Sequence, residues 1–414
     1  MAAAYFDNAA ATPLLHEARE AMLPFLTEEY GNPASLHRFG NKPKEAIETA
    51  RAQVAALIKS RPDDIVFTAS ASESNNQAIK GFALAHRDKG NHIVVSSIEH
   101  VSVLEPLKSL CTLGFEFTEV PVDAEGLVHP DKLAAAIKTE TALVSVMHAN
   151  YEVGTVQNIK ELAAIAHRYR IPFHSDGTAA VGRIPVDVAG LDVDAYTFPA
   201  MSVYGPKGAA ALYLKRGTRI QSLVEGGFQE RNRRAGTEDV AAIVGFGAAA
   251  AVTEARLSEW SETMTRLAQR IFKELPERLD HVIFTGPMSN RLPGHVSVVV
   301  EFVEGESMLL FLDDEGIAAA SGSSCSAKTL KASHVLLAMG LPHTKTQSSL
   351  VLTLGKDSTD ADVNHFLDKL PPIAQRLRQM SPLYAKFQRG EDPYAVKPGE
   401  TCEDEHEHEQ ELDQ

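Results

Sequence analysis

The chain has 414 residues, of which 44% are apolar and 23% are charged. This composition is typical of a soluble globular protein with two or three domains, and it excludes a disordered or fibrous chain. The formal net charge is −15, and because phosphate neutralisation needs clustered lysine and arginine, we expect no nucleic-acid partner.

The sequence gives no sign of a membrane span or a secretion signal. Its longest nearly apolar run, from Val240 to Val252, has 13 residues, fewer than the ~18 needed to cross a bilayer. The N terminus has no basic region leading into an apolar stretch. The three cysteines, Cys111, Cys325 and Cys402, are too few for a disulfide framework. We therefore expect a cytoplasmic protein that does not bind membranes.

Short β-rich runs alternate with helical patterns between about residues 45 and 215. This alternation predicts a mostly parallel sheet covered by helices, with ligands bound at the carboxyl ends of the strands. The predicted strands are Asp64–Thr68, His92–Ser96, Phe115–Val120, Ala142–His148, Ile171–Ser175, Asp194–Phe198 and Ala209–Leu214, and the predicted helices include Lys44–Ile58, Glu73–His86 and Ile159–Arg168.

The elements after this region are fewer and predict a smaller α+β unit. An alanine-rich helix near 239–256 and a separate helix containing Trp260 come first. They are followed by the predicted elements Gly294–Phe302, Glu304–Leu312, Ser333–Met339, Ser349–Gly355 and Asp360–Met380. From Lys397 onward, proline, glycine and acidic residues leave nothing to bury, which predicts a disordered tail.

Three short motifs admit both a structural and a functional interpretation. Gly245–Ala250 matches a dinucleotide fingerprint, but it lies within a helical pattern, which favours close helix packing. Thr68–Glu73 follows a strand and opens a helix, so it is either a phosphate-binding loop or a helix N-cap. In the tail, Cys402 and the histidines at 406 and 408 could bind a metal, although a solvated acidic tail is favoured.

Together, eight ordered motifs resemble the NifS/IscS-type cysteine desulfurases of the class V aminotransferase group. The motifs are Phe6–Pro13, Tyr30–Gly40, Ser72–Gly81, Tyr204–Gly208, Arg234–Glu238, Val303–Ser307, Ser321–Cys325 and Ser381–Tyr384. The resemblance implies an α/β protein of the fold-type-I pyridoxal-phosphate transferase architecture, with a seven-stranded large domain over 15–260. It further implies a homodimer, and a small domain formed by residues 1–14 and 261–390.

The same resemblance assigns site residues. Asp176 would pair with the cofactor's pyridine nitrogen, and His100 would stack on the ring and move protons. Ser72 would contact the phosphate, and Thr237 would reach the phosphate of the neighbouring subunit. Cys325 would carry sulfur as a persulfide; as a loop thiol among hydroxyls it is an accessible nucleophile.

Several positions depart from the family pattern. Ser202 stands where the family has the lysine that binds the cofactor covalently, and a hydroxyl cannot form that bond. Met201 and Pro199 replace two phosphate-binding residues, while Ala179 and Tyr151 replace two ring contacts. Val351 replaces the arginine that clamps the substrate carboxylate. We expect Tyr151, Met201 and Val351 to fill the pocket.

These departures predict a chain that has lost pyridoxal-phosphate-dependent desulfuration and binds the cofactor weakly or not at all. It would then act as an auxiliary protein with a sulfur acceptor or an iron–sulfur scaffold. Cys325 would accept persulfide sulfur or ligate an iron–sulfur cluster. One alternative is an active desulfurase or lyase that holds pyridoxal phosphate noncovalently. The other is a non-catalytic dimerisation partner or regulator of a true desulfurase.

Overall fold

A seven-stranded sheet forms the centre of the computed structural model, which describes residues 4–322 and 332–394. In spatial order its strands are β2, β8, β7, β6, β5, β3 and β4, all parallel except β8, which runs antiparallel to both neighbours. The strands are β2 Ile65–Thr68, β3 His92–Ser96, β4 Glu116–Val120, β5 Thr141–Ser145, β6 Phe173–Asp176, β7 Ala195–Pro199 and β8 Ala210–Leu214. The predicted α/β architecture with a mostly parallel sheet is therefore confirmed.

Helices cover both faces of this sheet, because alternate residues of each central strand point to opposite sides. Ile93 and Val95 join one apolar cluster with α3 and α4, whereas Val94 joins the other with α2, α6 and α9. The helices up to the end of the sheet are α1 His16–Thr27, α2 Arg38–Leu57, α3 Ala71–Ala85, α4 Val101–Cys111, α5 Pro130–Ala136, α6 Ile159–Arg168 and α7 Val188–Leu191.

One helix of 39 residues, α9 Val240–Arg278, replaces the two helices predicted around Trp260. No glycine or proline lies between Gly247 and Pro276, so nothing in the sequence ends the helix there. A side chain at Gly245 would collide with Met22 of α1, and one at Gly247 with Ala50 of α2. The packing interpretation of the glycine motif is thus confirmed. By length and hydropathy alone α9 could cross a membrane, but half of its apolar 18-residue window is buried inside the fold.

A second, antiparallel sheet is built by the C-terminal part of the chain. Its order is β12, β10, β9, and the short β1 pairs in parallel with β11. The N-terminal segment therefore joins this region, and Asp7 forms a bridge with Thr353 of β12. The remaining elements are β1 Ala4–Tyr5, α8 Gln229–Asn232, β9 Val282–Phe284, β10 His295–Val300, α10 Gly305–Asp314, β11 Ile317–Ala318, α11 His334–Ala338, α12 His343–Thr346, β12 Ser349–Thr353, α13 Asp360–Met380 and α14 Pro382–Gln388.

Two sequence predictions lie outside the described residues. One is the sulfur-carrying Cys325, and the other is the acidic tail at 397–414 with its candidate metal ligands.

Candidate active site

A cavity of about 520 Å³ lies where the carboxyl ends of β2, β3, β5, β6 and β7 face β12 and residues 320–322, which follow β11. Its size falls within the roughly 300–1,000 Å³ of small-molecule sites. Its position is the one that a mostly parallel sheet favours for ligands. Three of the predicted site residues, Ser72, His100 and Asp176, line it together.

Asp176, the last residue of β6, is held rigidly at the base of this cavity. Its side chain is 5% exposed. Oδ1 accepts a hydrogen bond from the backbone N–H of Thr178 at 2.9 Å, and Oδ2 accepts one from Asn75 Nδ2 at 2.7 Å. These donors stabilise a carboxylate that can face a protonated ring nitrogen.

His100 caps α4 and is connected to Asp176 through two other side chains. Asn75 Nδ2 also donates to Ser102 Oγ at 2.8 Å, and Ser102 Oγ lies 2.8 Å from His100 Nδ1. The backbone N–H of Ser102 donates to the same Nδ1, so the neutral imidazole carries its proton on Nε2. Burial lowers the pKa of His100, which favours this neutral form.

The N terminus of α3 forms another edge of the cavity. Ser70 is the N-cap residue, and its Oγ accepts from the backbone N–H of Glu73 at 3.1 Å. Ala71 and Ser72 line the cavity in the first turn, where the backbone N–H groups of a helix lack intrahelical acceptors. The N-cap interpretation is therefore confirmed for Ser70. The phosphate-binding interpretation stays a prediction, and the next two residues present the backbone N–H groups that it requires.

Tyr151, Met201 and Val351 line the cavity and do not fill it, so the predicted filled pocket is wrong. The Tyr151 ring packs edge-on against His100, with centroids 5.4 Å apart and planes at 83°, and it also contacts an apolar cluster that includes Val335. Val351 is 4% exposed within β12. Their packing against neighbouring elements, which the sequence does not reveal, leaves the space open.

Ser202 does not lie on the cavity wall, although its neighbour Met201 does. The Ser202 hydroxyl donates to the backbone carbonyl of Thr178 at 2.7 Å. Lys207 is exposed and lines the cavity. Thr237 is exposed and is not among the residues that line the cavity in this chain.

Sequence reasoning missed two acidic residues on the cavity wall, the half-buried Asp7 and the buried Glu152. Glu152 is 1% exposed, and burial raises its pKa to about 7. The signal was its place between two apolar residues, Tyr151 and Val153, next to the predicted ring contacts. A second buried acid, Glu99, lies directly before His100 and does not line the cavity.

The fold and the cavity together define an α/β protein of the fold-type-I architecture. The sequence model of the aminotransferase class-V family matches residues 4–366, and the chain belongs to this family.

Its similarity to named relatives extends over nearly the whole chain. It is 47% identical to a protein named cysteine desulfurase IscS from Dictyoglomus turgidum, covering 91% of this chain and 96% of the relative. It is 45% identical to cysteine desulfurase IscS from Methanosarcina thermophila, covering 94% and 96%. Among solved structures, a NifS-like protein superposes with a TM-score of 0.85 at 33% identity, covering 91% of this chain and all of that one. A NifS-like protein from Rickettsia africae gives 0.81 at 30% identity, covering 90% and 99%.

These relatives overturn the interpretation of the chain as a non-catalytic auxiliary protein. Proteins at 45–47% identity over nearly their full length carry the name of an enzyme, cysteine desulfurase. The same finding speaks against a dimerisation partner without activity, and it favours the alternative of an active desulfurase.

The cavity fits pyridoxal phosphate at its polar edges. An anionic, buried Asp176 suits the ring nitrogen, and the first turn of α3 suits a phosphate. In addition, the buried Thr178 Oγ1 has no hydrogen-bond partner within residues 4–322 and 332–394, although Thr178 lines the cavity beside Asp176. An unpartnered hydroxyl at this place indicates a site where a polar ligand supplies the missing hydrogen bond.

Proposed function

We propose that the chain is a divergent cysteine desulfurase that holds pyridoxal phosphate noncovalently. The proposal rests mainly on the open cavity in which Asp176, His100 and the first turn of α3 come together. The names of the relatives at 45–47% identity support the reaction.

Each polar edge of the cavity has one task in this proposal. When bound, pyridoxal phosphate supplies an electron sink for bond cleavage at the amino acid. Asp176 keeps a proton on the ring nitrogen, since its carboxylate is fixed by Asn75 and by the backbone of Thr178. Ser72 and the backbone N–H groups of α3 bind the phosphate.

His100 donates and recovers a proton at Nε2. The Ser102 backbone N–H occupies Nδ1 and thereby keeps the ring in one tautomer. The Asn75 and Ser102 side chains fix the imidazole relative to Asp176, so that the two groups act on one ligand.

Cys325 accepts the sulfur in this scheme. Its thiolate attacks the substrate's sulfur, the Cβ–S bond breaks, and Cβ takes up a proton, so that cysteine and a thiol become alanine and a persulfide. The persulfide then passes to a sulfur-acceptor protein or an iron–sulfur scaffold. The amino acids in the motif before Cys325 and the family membership support this assignment.

The lack of a covalent anchor is part of the proposal. Position 202 is a serine whose hydroxyl is engaged with the Thr178 carbonyl. Borohydride reduction of the cofactor-loaded protein, followed by peptide mass spectrometry, is expected to show no cofactor adduct. An adduct on Lys207, the lysine that lines the cavity, would contradict noncovalent holding.

The activity itself is tested by alanine formation from cysteine with added pyridoxal phosphate. We expect turnover with the unchanged chain and loss of persulfide, detected by alkylation and mass spectrometry, in Cys325→Ser. Cys111→Ser is the matched control, because Cys111 is an exposed thiol away from the cavity. Absence of alanine at saturating cofactor would refute the proposal.

We further propose that the enzyme is a cytoplasmic homodimer. Large apolar side chains are strongly exposed in the single chain, and such surfaces mark interaction sites. Leu36 is fully exposed, and Tyr30 and Phe228 are 74% and 86% exposed. Thr237 then contacts the partner's cofactor phosphate, which agrees with its exposure.

A further inference from the structure

Glu152 lines the cavity, but the proposed desulfurase reaction assigns it no role. Its Oε2 accepts a hydrogen bond from Ser333 Oγ at 2.7 Å, and its backbone carbonyl accepts one from His295 Nε2 at 2.9 Å. Its Oε1 has no partner among the described residues, although the side chain is almost completely buried. Such a group needs an explanation in a native fold.

The hydrogen-bond pattern determines where a proton on Glu152 would sit. Ser333 Oγ already accepts from the backbone N–H of Leu336, so its own hydrogen points to Oε2. In the neutral carboxyl the proton is therefore on Oε1, which becomes a buried donor without an acceptor. Burial raises the pKa of Glu152 to about 7, so this neutral form is well populated near neutral pH.

Glu152 lies on the same side of the cavity as Val351. A side chain added at Gly322 would come within 1.8 Å of Glu152 Oε1, so the two are in direct contact. Residues 320–322 connect this contact to β12: Ala320 pairs with Val351, and the Gly322 N–H donates to Ser349 Oγ at 3.3 Å.

On this side of the cavity, the described residues include no cation that could pair with a bound anion. Apart from the Tyr151 phenol, the ionisable residues that line the cavity are Asp7, His100, Glu152, Asp176 and Lys207. Lys207 is exposed, and burial lowers the pKa of His100, which favours its neutral form. An amino-acid substrate nevertheless brings a carboxylate, which requires a donor where it is desolvated.

We propose that the neutral Glu152 carboxyl donates a hydrogen bond from Oε1 to the carboxylate of the amino-acid substrate. This inference rests on the proposed function, because it takes cysteine as the substrate. It assigns Glu152 as the substrate-recognition residue and predicts that the enzyme binds carboxylates best when Glu152 is protonated.

The test compares two thiols that lack the amine and differ only at one end. 3-Mercaptopropionate carries a carboxylate, and 3-mercaptopropanamide carries a neutral amide; neither can turn over. Binding of each to the cofactor-supplemented protein is measured by calorimetry at pH 6. Glu152→Ala is expected to weaken carboxylate binding about tenfold or more and amide binding less than threefold, since charge-assisted hydrogen bonds are the stronger ones.

Glu152→Gln keeps a neutral donor and preserves the bond from Ser333. It is expected to bind the carboxylate within about threefold of the unchanged protein at pH 6. Between pH 6 and 8.5 the unchanged protein is expected to lose about tenfold in carboxylate affinity as Glu152 ionises, whereas Glu152→Gln stays flat. Other ionisable groups around Glu152 are common to both proteins: His295, Arg291, His334, His100, Asp7 and Asp176.

The matched control is Glu99→Gln, a buried acid outside the cavity, which is expected to leave both affinities unchanged. An equal effect of Glu152→Ala on both thiols, or no effect on either, would overturn the inference. So would a Glu152→Gln protein that keeps the pH dependence. Failure of the proposed function appears separately, as absent alanine formation, because these binding measurements need no turnover.

Discussion

The two walls of the cavity are built on different chemical principles. The wall from the seven-stranded sheet is a connected polar set, in which hydrogen bonds join Asp176, Asn75, Ser102 and His100. The opposite wall includes Tyr151, Val351 and Glu152. It is mainly apolar, and its polar groups are the buried acid Glu152 together with Asp7 and Ser321. The comparison teaches that the groups proposed to orient a cofactor ring form one fixed hydrogen-bonded set, whereas the wall proposed to meet a substrate is mainly apolar.

Asp176→Asn should have the largest effect on this comparison, because it removes the charge of the polar wall. The new amide would also bring a donor close to the Asn75 amide. We expect cofactor affinity, read from the visible absorbance during titration, to fall about tenfold to a hundredfold. Alanine formation should fall at least about a hundredfold.

Asp192→Asn is the control, since Asp192 is an acid on the surface paired with Lys215. Asp192→Asn should change neither the cofactor affinity nor the rate of alanine formation. An Asp176→Asn protein with unchanged cofactor affinity would show that the polar wall does not hold the ring.

Glu99, a buried acid outside the cavity, makes the stability of the fold depend on pH. Burial raises its pKa to about 8, above the usual 4.5, although Ser96 and the backbone N–H of Met147 donate to it. The folded state then binds a proton that the unfolded state releases, so stability falls as pH rises from about 4.5 through about 8. The slope is on the order of 1.4 kcal/mol per pH unit.

Urea unfolding of the unchanged protein and Glu99→Gln between pH 6.5 and 8 measures this contribution. The difference in free energy of unfolding should shift in favour of Glu99→Gln by about 1–2 kcal/mol across that interval. This interval avoids the buried His148, whose pKa is lowered to about 4 and whose effect lies at more acidic pH. A constant difference would mean that Glu99 is ionised in the fold.

Val351→Arg should sharpen the comparison by placing a cation on the apolar wall. A bidentate contact with the substrate carboxylate is expected to lower the KM for cysteine about tenfold. Steady-state alanine formation measures this KM. Val351→Leu is the apolar control, and its KM is expected to stay unchanged. A KM that rises in Val351→Arg would place the carboxylate elsewhere.

Ser70→Ala should have the smallest effect. The Ser70 hydroxyl caps α3 by accepting from Glu73, and loss of such a cap costs about 1 kcal/mol. Thermal unfolding should detect this loss, while cofactor affinity should change less than twofold. Ser72→Ala should lower the cofactor affinity and leave thermal unfolding nearly unchanged. An equal loss of cofactor affinity in both variants would contradict this division of roles.

The sequence was sufficient for the large sheet and for the polar wall. All seven predicted strands occur within a few residues of their positions. Most of them are buried along their whole length, and such strands are continuous apolar runs between turns. Ser72, His100 and Asp176 meet in one cavity because each lies at or shortly after the carboxyl end of a strand.

The apolar wall could not be predicted in the same way. Whether Tyr151 fills the pocket or packs against His100 depends on its rotamer and on Val335, a residue 184 positions later in the chain. The burial of Glu152 depends likewise on Ser333 and His295. Such contacts between distant segments leave no local pattern.

The continuous α9 has a mechanical consequence. It packs against α1 and α2 beside the large sheet, and against β10 and α13 beside the smaller sheet. Its 39 residues span about 58 Å, so bending by one degree displaces the far end by about 1 Å. Because one helix contacts both sheets, a slight bend of α9 would change the width of the gap between the two walls.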